Sequence, residues 1–244
     1  MNGAFAVLRR ELRGYFLTPV AYVFIVIFLI SANWLAFGVG FLYERGQADL
    51  NPFFTFHPWL FLFLVPALSM RLWAEERKSG SIELLMTLPL KAWQAVLGKF
   101  LAAWLFTALA ITLTFPIWIT INYLGAPDNG AILAGYVGSI LMAGGFLAVG
   151  SCLSAGTKNQ VIAFILSVIA CFVLLAAGYQ FVLDAFSAWL PPIVVDGIAS
   201  LGFLTHFEDI SKGVIDLRDI VYFGLLIGAC LYANTLVLSI KQAD

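Results

Sequence analysis

Six long apolar stretches constrain the fold of this chain more than any other feature of its sequence. Each has the length of about 20 residues that a helix needs to cross a bilayer. The predicted spans are Val20–Leu42, Phe53–Leu72, Val96–Leu124, Ile132–Ala155, Val161–Leu183 and Ile220–Ile240. Of the 244 residues 62% are hydrophobic and 11% are charged, whereas an average soluble domain has about 25% charged residues. We therefore expect one all-α polytopic membrane domain over residues 1–244.

The distribution of charge predicts how these spans are oriented. Basic residues gather on the side that holds both termini: Arg9, Arg10, Arg13, Arg71, Arg77, Lys78, Lys91, Lys99, Lys158 and Lys241. The loops on the other side are mainly acidic: Glu44, Asp49, Asp128, Asp184, Asp196, Glu208, Asp209, Asp216 and Asp219. Because positively charged loops remain cytoplasmic, both termini are predicted to be inside. Lys99 falls near the start of the third span, where its side chain is expected to reach the membrane interface.

The segment before the first span has the pattern of an amphipathic helix. Apolar residues recur at helical spacing with arginines between them: Phe5, Leu8, Arg9, Arg10, Leu12, Arg13 and Tyr15. This pattern predicts an interfacial helix over residues 4–17 that lies on the cytoplasmic leaflet. The alternative is a positive flank that does no more than set the topology. Pro19 is expected to mark the turn into the first span.

Residues 75–91 form the longest predicted cytoplasmic loop. Charged residues open the loop, and Ser79-Gly80-Ser81 predicts a turn. Ile82, Leu85, Met86 and Pro89 then follow at the spacing of one helical face, which predicts a short helix over Ile82–Leu88. A short helix with an apolar face on a cytoplasmic loop favours a protein partner that covers that face. The alternative is a helix that rests on lipid headgroups.

Residues 184–219 form the longest predicted segment on the outer side. Parts of it are as apolar as a span, but Pro191-Pro192 and Gly197 interrupt it, and the pieces are too short to cross. We expect two short re-entrant helices in the outer leaflet. The fourth span is rich in small residues, including the pairs Gly150/Ser154 and Ser151/Ala155, which permit close helix contact.

The sequence offers no evidence of catalysis in this chain. The spans contain almost no ionisable residues, and no HExxH, GxSxG or phosphate-loop motif is present. The cysteines lie far apart in apolar runs without the spacing of metal ligands, so they are predicted to be small buried hydrophobic residues. Scarcity of charge in the spans also disfavours a proton- or sodium-coupled carrier. The energy for any transport is therefore expected from a separate motor that contacts residues 75–91, and no nucleic-acid partner is expected.

Two runs of residues support a family resemblance. In the cytoplasmic loop, Glu76-Arg77, Gly80-Ser81, Glu83 and Leu85 have the spacing of a loop in ABC-2-type transporter permeases. This family is similar in its amphipathic N-terminal helix, its six spans, its coupling helix between the second and third spans, and its re-entrant helices before the last span. The outer run from His206 to Asp219 resembles the gliding-motility-associated permeases, whose close relatives are the nitrous-oxide-reductase maturation permeases.

The resemblance implies an exporter in the bacterial inner membrane. Two permease copies would pair with cytoplasmic ATPase subunits that hold ATP and magnesium, so this chain would carry no cofactor of its own. The residues implied at the ATPase interface are Glu75, Glu76, Arg77, Lys78, Gly80, Ser81, Ile82, Glu83, Leu85 and Met86. The N-terminal helix around Arg9, Arg10 and Arg13 would flank that contact. Membrane lipids surround the spans, and any large extracytoplasmic domain would belong to a separate partner protein.

The outer motif implied by the same resemblance consists of His206, Phe207, Glu208, Lys212, Gly213, Asp216, Arg218 and Asp219. Two other functions remain open from the sequence. One is a membrane-embedded enzyme that acts on lipid or peptide, which would need polar residues such as Asn33, Asn122 and Ser151 to meet in space. The other is a scaffold that transmits ATPase motion to outer partners without transporting a substrate.

Overall fold

The computed structural model describes residues 2–81, 90–187 and 189–240 of the chain. Within these ranges the regular structure is helical and no strand is present, which confirms the all-α prediction. The predicted helix Ile82–Leu88 lies outside the described residues, and so does Lys241.

The first half of the chain is a series of helices of very unequal length. They are α1 (Asn2–Leu17), α2 (Pro19–Trp34, continued by a π-helical turn over Leu35–Val39), α3 (Asn51–Thr55), α4 (His57–Ser69), α5 (Arg71–Ser79), α6 (Ala92–Thr112) and α7 (Phe115–Leu124). The second half contains α8 (Asn129–Gly156), α9 (Gln160–Ala176), α10 (Gln180–Ser187), α11 (Pro192–Ala199), α12 (Phe203–Ser211) and α13 (Leu217–Ile240).

Within the described residues, four helical stretches are long and apolar enough to cross a membrane. They are Pro19–Val39, Ala92–Leu124, Asn129–Gly156 and Leu217–Ile240. A fifth is obtained if α9 and α10, which meet at an angle of 72°, are counted as one broken span. The chain is therefore a multi-pass membrane protein.

The predicted second span, Phe53–Leu72, is divided in the structure into α3, α4 and the start of α5. A helix of the length of α4 reaches about 20 Å, which is less than the apolar thickness of about 30 Å. The break between α4 and α5 lies at Met70, four residues after Pro66. Ser69 Oγ and Met70 N both donate to the carbonyl oxygen of Pro66, so this acceptor is satisfied at the bend.

The outer segment begins earlier than predicted. Helix α9 ends at Ala176, and α10 starts within the predicted fifth span and turns away from it. The outer segment contains α10, α11 and α12, where two short helices were predicted. Gly197 lies inside α11 and does not break it, while Pro192 occupies its first turn, where the missing N–H is not needed.

Helix α8 is the centre of the bundle, and its small residues allow the other helices to approach. A Cβ added at Gly135 would lie 2.5 Å from the Phe54 ring, and one at Gly150 would lie 2.0 Å from Ser69 Oγ. A Cβ at Gly144 would lie 2.9 Å from the indole nitrogen of Trp104. The small residues of the fourth predicted span therefore bring α3, α4 and α6 into close contact with α8.

Helix α1 packs on α6 through a face of small apolar residues. Ala4 and Val7 are buried, and a Cβ at Gly98 of α6 would lie 2.7 Å from both the Ala4 carbonyl oxygen and Val7 Cβ. Phe5, which belongs to the predicted apolar face of the interfacial helix, is 66% exposed, and Phe16 and Leu17 are exposed as well. The helix thus has a protein-facing side of small residues and a separate apolar side that is free to contact lipid.

Candidate functional site

Four charged side chains from α1, α5 and α6 meet where α5, which leads into the predicted coupling loop, packs against the bundle. Lys99 Nζ of α6 lies 2.8 Å from Glu76 Oε1 of α5 and 3.2 Å from Glu11 Oε1 of α1. Arg10 lies 2.6 Å from the same oxygen of Glu11 and 3.7 Å from Glu76. We call this group the charge junction. Its two acids and two bases are equal in number; Lys99 is buried between the carboxylates, and Arg10 lies at the exposed edge.

Lys99 is the buried centre of the charge junction. Its side chain is only 3% exposed, so it does not extend to the interface as the sequence suggested. The side chain stays inside because the two carboxylates compensate its charge there, and the ring of Trp73, 5.3 Å away, adds a cation–π contact. Removal of one partner from such a pair leaves a buried charge without compensation, which is costly.

The charges around Glu11 favour its ionised form. Burial by itself would raise the pKa of Glu11, but the charges of Lys99 and Arg10 and the hydrogen bonds from both outweigh it and lower the pKa. Burial and the nearby Glu11 charge raise the pKa of the neighbouring Tyr15, which stays neutral. Glu76 Oε2 is buried and has no hydrogen-bond partner among the described residues.

The bend at Met70 is secured by one hydroxyl of the central helix. The first turn of α5 has backbone N–H groups that lack regular partners, as at any helix start. Ser154 Oγ accepts from Trp73 N at 3.2 Å and Ala74 N at 3.1 Å, and it donates to the Met70 carbonyl oxygen at 2.9 Å. The orientation of α5, and therefore of the loop that follows, is set by this hydroxyl.

A second hydroxyl on α8 links α5 to the last helix. Ser151 Oγ accepts from the indole N–H of Trp73 at 3.2 Å and from the Asn234 amide at 2.8 Å. Arg77 donates to the carbonyl oxygen of Ala155 near the end of the same helix. Helix α5 is thus joined to α8 along its length, and any displacement of α5 acts directly on the centre of the bundle.

The other predicted interface residues lie on the open side of α5. Glu75 Oε2 is 3.5 Å from Arg71 Nε, and Lys78 is exposed. Gly80 ends the helix with a left-handed backbone (φ 74°), which confirms the predicted turn, and Ser81 Oγ is 2.9 Å from Ser79 Oγ. The remaining predicted interface residues lie outside the described residues: Ile82, Glu83, Leu85 and Met86.

The three arginines of the N-terminal helix do not act alike. Arg10 belongs to the charge junction, whereas Arg9 and Arg13 are exposed beside the apolar side formed by Phe5 and Phe16. Basic residues that flank exposed apolar ones suit a helix at the surface of an anionic leaflet.

The outer motif closes the end of the bundle through a buried histidine. His206 Nδ1 of α12 lies 2.6 Å from Asp219 Oδ1 of α13, and Nε2 lies 3.0 Å from the Ser200 carbonyl oxygen. Because a carbonyl oxygen can only accept, Nε2 carries hydrogen and donates to it. The ring stacks on Tyr222 at 4.0 Å, and the Tyr222 hydroxyl donates to Leu201 O. Both ring nitrogens have hydrogen-bond partners, so His206 serves to hold α12 and α13 together.

The rest of the outer motif shapes the turn between α12 and α13. Phe207 is buried, and Glu208 forms an i,i+4 ion pair of 3.6 Å with Lys212. Gly213 has a left-handed backbone (φ 94°) after the helix end. Asp216 Oδ1 accepts from the backbone N–H of Arg218 at 3.1 Å and so opens α13. These roles are architectural and involve no free reactive group.

The polar residues that an intramembrane enzyme would need are not brought together. Asn33 donates to Leu29 O in its own helix, while Asn122 exchanges hydrogen bonds with Asn129. Ser151 contacts Trp73 and Asn234, as described above. Over the described parts of the chain, no cluster of histidine, cysteine and carboxylate groups could hold a metal ion.

Sequence reasoning missed the polar residues that position α5. Ser151, Ser154 and Asn234 lie in apolar runs and could be recognised only as small or isolated polar residues. Asn234 was the clearest signal, because a buried amide within a membrane helix needs a partner. Its partner, Ser151, is 83 positions away and cannot be found from spacing.

Comparison with known proteins places this architecture in a family. The model of the ABC-2 family transporter protein matches residues 43–201, well over half of the chain. The match includes α5 and the loop after it, and it ends before the outer motif. No curated protein matches the chain in a sequence search.

Proposed function

The chain belongs to the ABC-2 family of transporter proteins, and on that premise we propose that it is the permease subunit of an ATP-driven exporter that receives ATPase motion through residues 75–91. Members of the family form the transmembrane component and are not themselves catalytic, and they generally work with a cytoplasmic ATPase. ATP and magnesium would bind to that partner. The substrate would cross between the helices of the permease.

The charge junction is the observation that carries this proposal. Glu76 stands in the family's loop motif, yet its carboxylate lies 2.8 Å from a buried lysine of α6. A force on the loop that moves α5 would therefore displace α6 and α1 together. The hydrogen bonds of Trp73 and Ala74 to Ser154 extend the same connection to α8.

We infer six spans with both termini in the cytoplasm of a bacterium. The proposal adds α4 with the start of α5, and α9, to the four stretches that are long enough by themselves. The broken second span is supported by the polar contacts at Met70, which satisfy the backbone where the helix bends. The charge bias of the loops supports the orientation.

We further infer that two copies of the permease form a homodimer and that the outer motif assigns the chain to the gliding-motility-associated subgroup. A separate extracytoplasmic protein would bind the outer helices α10 and α11, which contain no buried residue. This subgroup assignment rests on the run from His206 to Asp219 and does not extend to a motility function.

The proposal is tested by co-expression with the cognate ATPase. We expect a stable complex whose ATP hydrolysis responds to the permease, and we expect the double variant Glu76→Lys/Leu85→Asp to lose this response. Leu85→Asp alone keeps the charge junction intact and tests the loop separately. The matched control, Asp184→Lys/Leu201→Asp, places the same changes at exposed positions of the outer segment. A mutant complex that assembles and hydrolyses ATP as the original does would refute the assignment.

A further inference from the structure

A cavity of about 570 Å³ lies beside the charge junction, where α1, α2, α4 and α5 meet. Its wall is apolar and is formed by Val23, Phe24 and Ile27 of α2 and by Leu64 and Leu68 of α4. Val23 and Ile27 are about half exposed, so this wall opens sideways from the bundle. The volume lies within the range of about 300–1,000 Å³ that is typical of small-molecule sites.

One end of the cavity is polar and has unused hydrogen-bonding capacity. It is lined by Tyr15, Arg71, Glu75 and Gln160, together with Glu11 of the charge junction. Over the described parts of the chain, neither the Tyr15 hydroxyl nor the Gln160 side chain makes a hydrogen bond. The contact of Arg71 Nε with Glu75 is 3.5 Å, longer than the 2.7–2.9 Å or so of a strong charge-assisted bond. Most of the Arg71 guanidinium therefore remains available.

These groups match a lipid headgroup that carries both a negative phosphate and a positive ammonium group. The Arg71 guanidinium, the Tyr15 hydroxyl and the Gln160 amide can all donate to phosphate oxygens, and a guanidinium suits phosphate especially well. Glu75 can accept from an ammonium group. The polar end lies where the ends of three predicted spans meet, and the apolar wall continues from it along α2 and α4.

We propose that this cavity binds one zwitterionic phospholipid, with its phosphate at Arg71 and its ammonium group at Glu75. One acyl chain lies along Val23, Phe24 and Ile27. An anionic lipid would lack the ammonium group for Glu75, and an apolar helix of a second copy would leave Arg71 without an anion. The proposal stands independently of the ATPase contact, because it requires neither residues 82–89 nor a partner protein.

The test uses the full-length chain in vesicles that contain a photoreactive phosphatidylethanolamine with a diazirine on one acyl chain. Mass spectrometry of the cross-linked peptides should show labelling concentrated on residues 20–27 and 64–68. Ala67→Trp, which fills the cavity, should reduce this labelling about tenfold, equivalent to about 1.4 kcal/mol of lost binding. The matched control Ala229→Trp changes an exposed alanine of α13 and should leave it unchanged.

A second pair of variants tests the cavity independently, in case Ala67→Trp does not fold. Gly14 lines the cavity and has no atom within 4 Å of an added Cβ, so Gly14→Leu should enter the cavity without a clash and reduce labelling. Gly228 of α13 is equally open, which makes Gly228→Leu its control. Labelling spread evenly over exposed apolar residues such as Leu225, or unchanged in both cavity variants, would overturn the site.

The headgroup assignment is tested with Arg71→Met and with a second lipid. Arg71→Met should weaken labelling of residues 20–27, whereas Arg218→Met, at an exposed arginine of α13, should not. A diazirine phosphatidylglycerol at the same mole fraction should label the cavity less than the phosphatidylethanolamine does. Equal labelling by the two lipids would refute a zwitterionic site.

Discussion

Lys99 and Glu76 form an ion pair of 2.8 Å that joins the start of α6 to the helix leading into the loop predicted to be cytoplasmic. The two residues are 23 positions apart, and the loop between them includes the predicted coupling helix. The pair therefore fixes both ends of that loop to each other. Glu11 completes the contact from the N-terminal helix, at 3.2 Å from Lys99.

Replacement of Lys99 by methionine should destabilise the protein strongly. The change leaves Glu11 and Glu76 with only the exposed Arg10 for compensation, and the loss of one partner of a fully buried pair costs about 3–5 kcal/mol, which is the upper bound here. Thermal unfolding in detergent measures the effect. The exposed Lys158→Met should change the free energy of unfolding by less than about 0.5 kcal/mol. Equal effects of the two variants would show that the pair contributes no stability.

Acidification should remove the stabilisation that Glu11 provides. Its pKa is lowered by folding from 4.5, so its contribution is present above the unfolded value and is lost as the pH falls through the folded one. The difference in melting temperature between the wild type and Glu11→Gln should thus be clear near pH 6 and shrink as the pH falls below 4.5. A difference that grows on acidification would contradict the assigned sign.

Ser154→Ala should loosen the bend at Met70. The variant leaves two backbone N–H groups and one carbonyl oxygen without the hydroxyl, and an unsatisfied buried group costs about 1–3 kcal/mol. Amide hydrogen exchange should accelerate at Trp73 and Ala74 before it does elsewhere. Ser187→Ala removes an exposed hydroxyl that donates to Asp184 O and serves as the control. Unchanged exchange at these two amides would exclude the proposed role.

Gly150→Ala should be poorly tolerated, although alanine favours a helix. Its Cβ would lie 2.0 Å from Ser69 Oγ and 2.8 Å from Ser69 Cβ, so α4 and α8 would have to separate. Such overpacking costs about 1–3 kcal/mol. Gly224→Ala, at an open position of α13, should gain about 0.5–1 kcal/mol from helix propensity. The two unfolding midpoints should move in opposite directions, and a parallel shift would show that α8 packs less tightly than described.

Parts of the candidate site were predictable because their signals are local. The turn at Ser79-Gly80-Ser81 follows from the conformational freedom of glycine, and Pro19 at the start of α2 follows from its missing N–H. The sequence predicted an amphipathic N-terminal helix, but it did not show which residues of α1 pack on α6. In the structure, the close approach of α1 to Gly98 brings Ala4 and Val7 against α6. The size of the opposing residue decided which face was buried, and that information lies about 90 positions away in the chain.

The sequence by itself determined that the chain is a helical membrane protein and that a loop with several charged residues follows its second apolar stretch. Apolar length and local charge suffice for that, because the bilayer imposes the same requirement on every chain that crosses it. Only the tertiary structure decided that Lys99 is buried between Glu11 and Glu76 and that Ser154 supports the bend at Met70. These contacts join residues that are far apart in sequence, and each is favourable only where three helices already pack closely enough to exclude water.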